Sequence, residues 1–583
     1  MTRRKHGIAA IALGGVVALT AAACGGGAST PAASRTAGGA VTKGGTLYYL
    51  TNSAAQSLDP QRTYSGRDIA DESRLVYRTL TSYPVAAGSA GTKLVADLAT
   101  DTGTSSNGGK IWKFTLKNGV TWQDGSAITC ADVKYGVSRT FATSVITGGP
   151  NYAIQFLNIP SNPKGGSLYQ GPYVKDPAGQ ALYDKAVSCS GNTITFTLSK
   201  PVVDFNYTVS MPAFAPYKAS QDKGDKSNFD VFSDGPYELQ GSWAQGRGGT
   251  FVRNPYWSAA TDTIRKALPD KIAFTEGLAD EVIAERLISD QGNFKFAVTD
   301  SSTPPAIRPN VRVNPSMTTR SENVNAPLVD YLVPNFKKMT NPLVREALAV
   351  STDKTGWVAA NGGTDAGSPA SSIIAPSVLG YQAYSAFNAP ESGDPARAKA
   401  LLTQAGVKMP YPITLTYSGG TPTTEKSAAA LKAGWDAAGF ITSLDELSGT
   451  YYDVIQNPAN ASTYDLTWGS WAAQGPSAAG VIPPLFDSRV NLTSASNGQD
   501  YGYYSNAAVN KAIDAAYSTT DLAKQVAMWG NIDATIQKQG GYIPLRVQKF
   551  FLIRGSGVTG WIDNPAMDDY PDLGSLGVNL NPS

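Results

Sequence analysis

Among 583 residues there is one histidine, His6, and three cysteines, Cys24, Cys130 and Cys189. His6 falls in an export leader, so the working protein is expected to carry no imidazole. That excludes Ser-His and Cys-His nucleophile pairs and histidine-held zinc. A glycosidase can work with two carboxylates alone, but no two acids here stand at strand ends where they would flank a glycosidic bond. No Gly-rich loop ending in Lys-Ser/Thr is present to cradle a phosphate. Cys130 and Cys189 are an even pair in an exported chain. They read as a disulfide worth roughly 4 kcal/mol, with two buried free thiols as the other reading. The histidine-dependent routes to catalysis are thereby removed, and neither a cofactor nor a metal is expected.

The first thiol has different surroundings. Arg3, Arg4 and Lys5 precede an uncharged apolar run, 8–23, and small residues lead to Cys24. A basic start, a short apolar run and a small-residue cut site describe an export signal. The run is shorter than the roughly 20 residues of a membrane span. Ala21-Ala22-Ala23-Cys24 resembles the lipobox of bacterial lipoproteins, with Ala21 where leucine is usual and Leu19 two places earlier. That resemblance implies acylation of Cys24 and a lipid anchor in the cell membrane. An ordinary secretory signal, with Cys24 incidental, is the alternative. Arg3-Arg4 leave Sec or twin-arginine export open. Residues 24–43 are Gly, Ala, Ser and Thr with little to bury, and are expected to be a flexible tether. Without the leader's three basic residues, 45 basic face 46 acidic side chains. Such a balance gives no field for nucleic acid.

Alternating strands and helices make the body mixed α and β. In "IWKFTLKNG", Trp112, Phe114 and Leu116 share one face, and Asn118-Gly119 is a hairpin signal. Thr129 with Asp132 begins a helix whose Val133, Val137 and Phe141 lie four apart. Strands are expected at 45–51, 193–198 and 413–417, and helices at 69–80, 424–438 and 521–538. Asp394 caps a further helix, with Pro395 in its first turn and Gly406 as its stop.

In this order, "GGTLYYLTNSAAQSLDP", "LVADLATD" and "WKFTLKNGVTWQDGSAITCADVKYGVSR" resemble the family 5 extracellular solute-binding proteins, receptors of peptide and nickel ABC importers. "DGPYELQGSWAQGRGGTFVRNPYW", "NPLVREALAVSTDK", "DPARAKALLTQAGV" and "YDLTWGSWAAQGPS" keep the same order, so the likeness covers nearly the whole body. It implies an α/β fold of the type II periplasmic-binding-protein kind: two hinged lobes and an inserted domain. On that pattern residues 1–23 are the leader and 24–43 the tether. Lobe I is 44–72 with 230–325 and 541–583, the insert is 73–229, and lobe II is 326–540. The resemblance further implies a monomer that encloses a peptide or other small solute and hands it to a separate permease and ATPase. Trp122 is expected to pack rather than to bind.

In peptide-binding relatives the stretch matching "TWGSWAAQGPS" often reads Gly-Trp-x-x-Asp, and that aspartate pairs with the peptide's amino group. Aligned on Trp471, the position holds Gln474, which can accept a hydrogen bond from an ammonium but cannot neutralise it. A neutral, blocked or cyclic ligand, or a sugar, suits Gln474 better. Trp468 and Trp471 are candidates to stack on a side chain or sugar ring, with core packing as the alternative. Arg546 could grip a ligand carboxylate bidentately or sit in a structural salt bridge. Asn52 and Ser53, ending the first strand, face the cleft in relatives. An oligopeptide is the leading cargo, an oligosaccharide the second, and a metal chelate the third.

Overall fold

The computed structural model describes residues 43–162, 166–447, 451–473, 477–492 and 497–581. Cys24, the tether up to residue 42 and Gln474 lie outside the described residues. Three main sheets organise the chain. The opening strand Thr46–Leu50 buries Leu47 and Tyr49 and runs parallel to Lys271–Thr275 on one side and Ala297–Thr299 on the other. Gly248–Arg253 and Tyr237–Ala244 complete this five-stranded sheet.

The second sheet runs in the order Thr104–Ser106, Ile111–Thr115, Thr193–Thr197, Val187–Ser190. Strand alternation puts Trp112 opposite Phe196 and Phe114 opposite Ile194, all buried on one face. The helix Cys130–Arg139 closes that core with Val133 and Val137, and Thr129 and Asp132 form a reciprocal capping box at its start. Cys130 and Cys189 are bonded, tying this helix to the edge strand with Cα atoms 5.9 Å apart. Trp122 is buried against Phe232.

Two local readings change. The helix expected over 69–80 is Gly66–Leu75. It stops early because Thr79 and Leu80 leave it to bond their carbonyls to the N–H groups of Leu98 and Asp97. Asn118-Gly119 does turn, with Gly119 at φ 77°, but joins no hairpin. The strand before it pairs instead with the distant Thr193–Thr197, and Thr121 forms only an isolated bridge to Ala127.

The third sheet has six strands, ordered Gly367–Pro369, Ile543–Ile553, Ser321–Pro334, Leu466–Ala472, Tyr411–Ser418, Phe440–Leu447. Helices Pro342–Ser351, Pro395–Gln404 and Pro422–Ala437 cover one face, burying Leu348, Leu402 and Trp435 with Leu415. Asp394, Asp521 and Thr421 cap helices as their side-chain types favour.

Ser321–Pro334 has 14 residues and pairs with Ile543–Ile553 from Ser321↔Ile553 to Leu332↔Ile543. At one end Phe551 and Ile553 pack with Leu50, Ile283 and Leu287. At the other, Leu332, Ile543 and Leu545 pack with Val344 and Leu348. Ile543–Ile553 thus runs from one hydrophobic core into another, with Ser321–Pro334 paired along it. Register shifts at Asn325/Val329 and Asp330/Tyr331 interrupt the ladder between them, where bulges bend strands.

Candidate functional site

A period of two sets the geometry. On Leu466–Ala472, Trp468 and Ser470 share one face and Trp471 takes the other. Register then supplies partners: Trp468 stands opposite Leu332, Ser470 opposite Asp330, and Trp471 opposite Val329. On its other side Asp330 faces Arg546. A polar row, Ser470–Asp330–Arg546, therefore crosses three neighbouring strands. Arg546 Nε donates to Asp330 Oδ2 at 2.6 Å. Gln548 Nε2 donates to Asp330 Oδ1 at 2.7 Å and to Ser470 Oγ at 2.9 Å. Asp330 is buried, so this compensation is what makes its charge tolerable there.

The row forms the floor of a cavity of about 200 Å³. That is space for several waters or a ligand fragment, at about 30 Å³ per water. Arg546 spends Nε on Asp330. Among the described residues neither of its Nη atoms has an acceptor, and the side chain lines the cavity. Two parallel donors are what a carboxylate accepts bidentately. Trp468 forms an aromatic wall held by Trp357 and Tyr417, whose ring centroids each lie 4.8 Å from it. Tyr451 donates its hydroxyl to the Trp468 carbonyl, and Tyr452 and Asn361 complete the rim.

Of the residues singled out from sequence, Trp468 and Arg546 share this cavity. Trp471 does not line it: its indole N–H donates to the Gly480 carbonyl at 3.0 Å, and its ring packs on the opposite face of the sheet. Asn52 and Ser53 lie at the end of the five-stranded sheet, where Asn52 Nδ2 donates to Asp280 and Ser53 Oγ donates to Asn52. Gln474 lies outside the described residues. Sequence reading passed over Asp330, Ser470 and Gln548. The signal for Asp330 was present: a lone acid inside "APLVDYLVP" needs a buried partner.

A second cavity, about 50 Å³, forms where Ala473, just past the strand, meets Gly66, Tyr83, Met211 and Asp568. Burial pushes the Asp568 carboxyl up to about 7. Nearby, Ser477 Oγ donates to Asp204 at 3.5 Å and Phe156 meets Tyr517 edge-on, so residues before 229 touch residues after 326. Burial likewise raises Asp204 to about 6.

Fold and motifs define a class. A profile of the bacterial extracellular solute-binding proteins, family 5, matches residues 93–492, and the chain belongs to that family. Its fold is mixed α and β, of the type II periplasmic-binding-protein kind. A probable D,D-dipeptide-binding periplasmic protein of Escherichia coli K12 is 23% identical over 540 residues, 89% of this chain and 92% of that one. A glutathione-binding protein of Salmonella choleraesuis is 25% identical over 472 residues, 79% of this chain and 82% of that one. Among solved structures, clavulanic acid biosynthesis oligopeptide binding protein 2 superposes with a TM-score of 0.84 at 27% identity, covering 92% of this chain and 96% of that one. Family and relatives are binding proteins rather than enzymes, and this chain is a substrate-binding receptor. Among the described residues no helix is long and apolar enough to cross a membrane.

Proposed function

We propose that the chain is the substrate-binding lipoprotein of an ABC importer. It captures an oligopeptide or peptide-like compound between two lobes and delivers it to a membrane permease. The observation that carries this reading is Arg546, pinned through Nε by Asp330, with no acceptor on its Nη atoms among the described residues, in the lining of a cavity walled by Trp468. A free carboxylate and an adjoining apolar side chain satisfy those two features together. The names of the relatives, which bind dipeptides, glutathione or oligopeptides, favour the same ligand class.

The lobe boundaries follow the division 44–72, 230–325 and 541–583, with the insert 73–229 and lobe II 326–540. The separation of the three sheets supports it. The paired strands Ser321–Pro334 and Ile543–Ile553 serve as the hinge, because Ile543–Ile553 is anchored in both cores and Ser321–Pro334 pairs along it. Ligand contacts made in both lobes would favour the closed arrangement. Cys24 acylation would hold the body at the membrane; radiolabelled palmitate incorporation, lost in C24S, tests it.

The cargo is tested by a thermal-shift screen of short peptides against oligosaccharides. Stabilisation by peptides, reduced by amidating their carboxyl ends, supports the reading. Stabilisation by sugars alone would replace it with the oligosaccharide receptor, for which Trp468, Tyr452 and Asn361 provide a stacking wall and hydrogen-bonding rim.

A further inference from the structure

Arg546 is not the only group in its cavity with hydrogen-bonding capacity left over. The helix Lys354–Ala360 ends at Asn361, and Trp357 and Asn361 both line that cavity. Asn361 Nδ2 donates to the Trp357 carbonyl at 2.9 Å and to Ser427 Oγ at 2.8 Å. Ser427 spends its own proton on the Thr423 carbonyl at 2.8 Å. It therefore accepts from Asn361, which fixes the end of the amide that is nitrogen. Both amide hydrogens are used, and Oδ1 remains. Among the described residues Oδ1 has no donor, and it is not one of the unpartnered atoms shut away from solvent. An acceptor is thus held open on a side chain that cannot turn over without losing two hydrogen bonds.

Trp357 supplies the opposite polarity. It is 5% exposed, and its indole N–H has no acceptor among the described residues. A buried donor without a partner is costly, so such a group calls for an explanation. One unspent acceptor and one unspent donor, four residues apart in the chain, line the same cavity.

Charge and length narrow the ligand group. Asp330 and Arg546 are the charged residues of the lining, and they pair with each other. An ammonium at Asn361 would meet an amide oxygen and no carboxylate free to neutralise it. A carboxylate there would set acceptor against acceptor. A carboxamide answers both groups, its N–H to Asn361 Oδ1 and its oxygen to the Trp357 N–H. A space of about 200 Å³ is roughly 6 Å across, the reach of a side chain of about four bonds such as glutamine. We propose that Asn361 and Trp357 form a specificity subsite for the carboxamide of a glutamine at the carboxyl end of the peptide, whose terminal carboxylate meets Arg546. This rests on the peptide reading above and adds to it the ligand's last side chain and the two residues that select it.

The test uses the full chain and the peptides Ala-Ala-X and Ala-Ala-Ala-X, with X as Gln, Met, Glu or Lys, titrated by calorimetry. Wild type should bind the Gln peptides at least tenfold more tightly than the Met peptides, which match them in length without polar tips, and than the Glu or Lys peptides. N361L should bind Gln and Met peptides alike, and W357F should narrow the preference; melting curves check folding. Should wild type bind Gln and Met peptides equally, or N361L keep the preference, the subsite is overturned while the peptide reading stands. Should W357F keep the full preference, the role of Trp357 is overturned. Should wild type bind no peptide of the set, both readings fall together. If neither variant folds, the wild-type ratios of Gln to Met and Gln to Glu decide.

Discussion

Two groups of buried charge in this molecule differ in one respect. Arg78, Arg265, Asp97 and Asp262 are each at most 1% exposed at the side chain and match charge for charge. Arg78 Nε donates to Asp97 Oδ1 at 2.8 Å, Arg265 Nη2 donates to Asp97 Oδ2 at 2.8 Å, and Arg265 Nη1 donates to Asp262 at 3.1 Å. Asp330 is also buried and paired, but its partner Arg546 is only partly buried, lines the cavity and, among the described residues, has no acceptor on its Nη atoms. A network that consumes its own hydrogen-bonding capacity holds structure. A pair that leaves capacity over, facing space, can hold something else.

The contrast breaks most visibly at Asp97. D97A leaves two buried guanidinium groups without their main acceptor and should cost about 3–5 kcal/mol, read as the urea midpoint. If D97A and D330A destabilise equally, the distinction between the two groups is lost.

Next is R546Q. Peptide affinity should fall at least tenfold while stability changes by about 1–2 kcal/mol, because Gln548 still donates to Asp330. Titration calorimetry beside chemical denaturation separates the two quantities.

The pH profiles of this network and of Asp568 should have opposite signs. Asp97 and Asp262 are held below the usual carboxylate range against burial by Arg265 and Arg78. Their contribution is fully present above the unfolded value near pH 4 and is lost as pH falls through the folded values. Asp568 is raised to about 7 by burial, so the folded state binds the extra proton and stability declines as pH rises from about 4 to about 7. D568N should remove that decline and melt higher than wild type at pH 8; D97N should not. Melting temperatures from pH 3 to 8 check both.

The smallest effect is expected at S470A, which deletes one acceptor of Gln548 and should change stability by about 0.5–1 kcal/mol. A larger loss of peptide affinity than of stability would place Ser470 with Arg546 rather than with the scaffold.

Where the chain's own local pattern governs structure, the sequence was sufficient. Alternation in "IWKFTL" and "TITFTL" specified buried faces, Thr129-x-x-Asp132 specified a helix start, and Asp394, Gly406 and Gly540 bounded helices, because capping and periodicity act within a few residues. The order of motifs also determined the family. Local signals failed where a distant partner competed: Thr79 and Leu80 gave up helix for the chain near Asp97, and the strand before Asn118-Gly119 found Thr193–Thr197 instead of a hairpin mate. The site belongs to the same category. Trp468 and Trp471 look equivalent three residues apart, and only their placement in a strand sends them to opposite faces. Asp330 meets Arg546 across 216 residues, and Asp568 meets Gly66 across about 500. Charge compensation depends on distance in space, which chain order does not contain, so the pairing that sets Arg546 beside a cavity was decided by the tertiary fold.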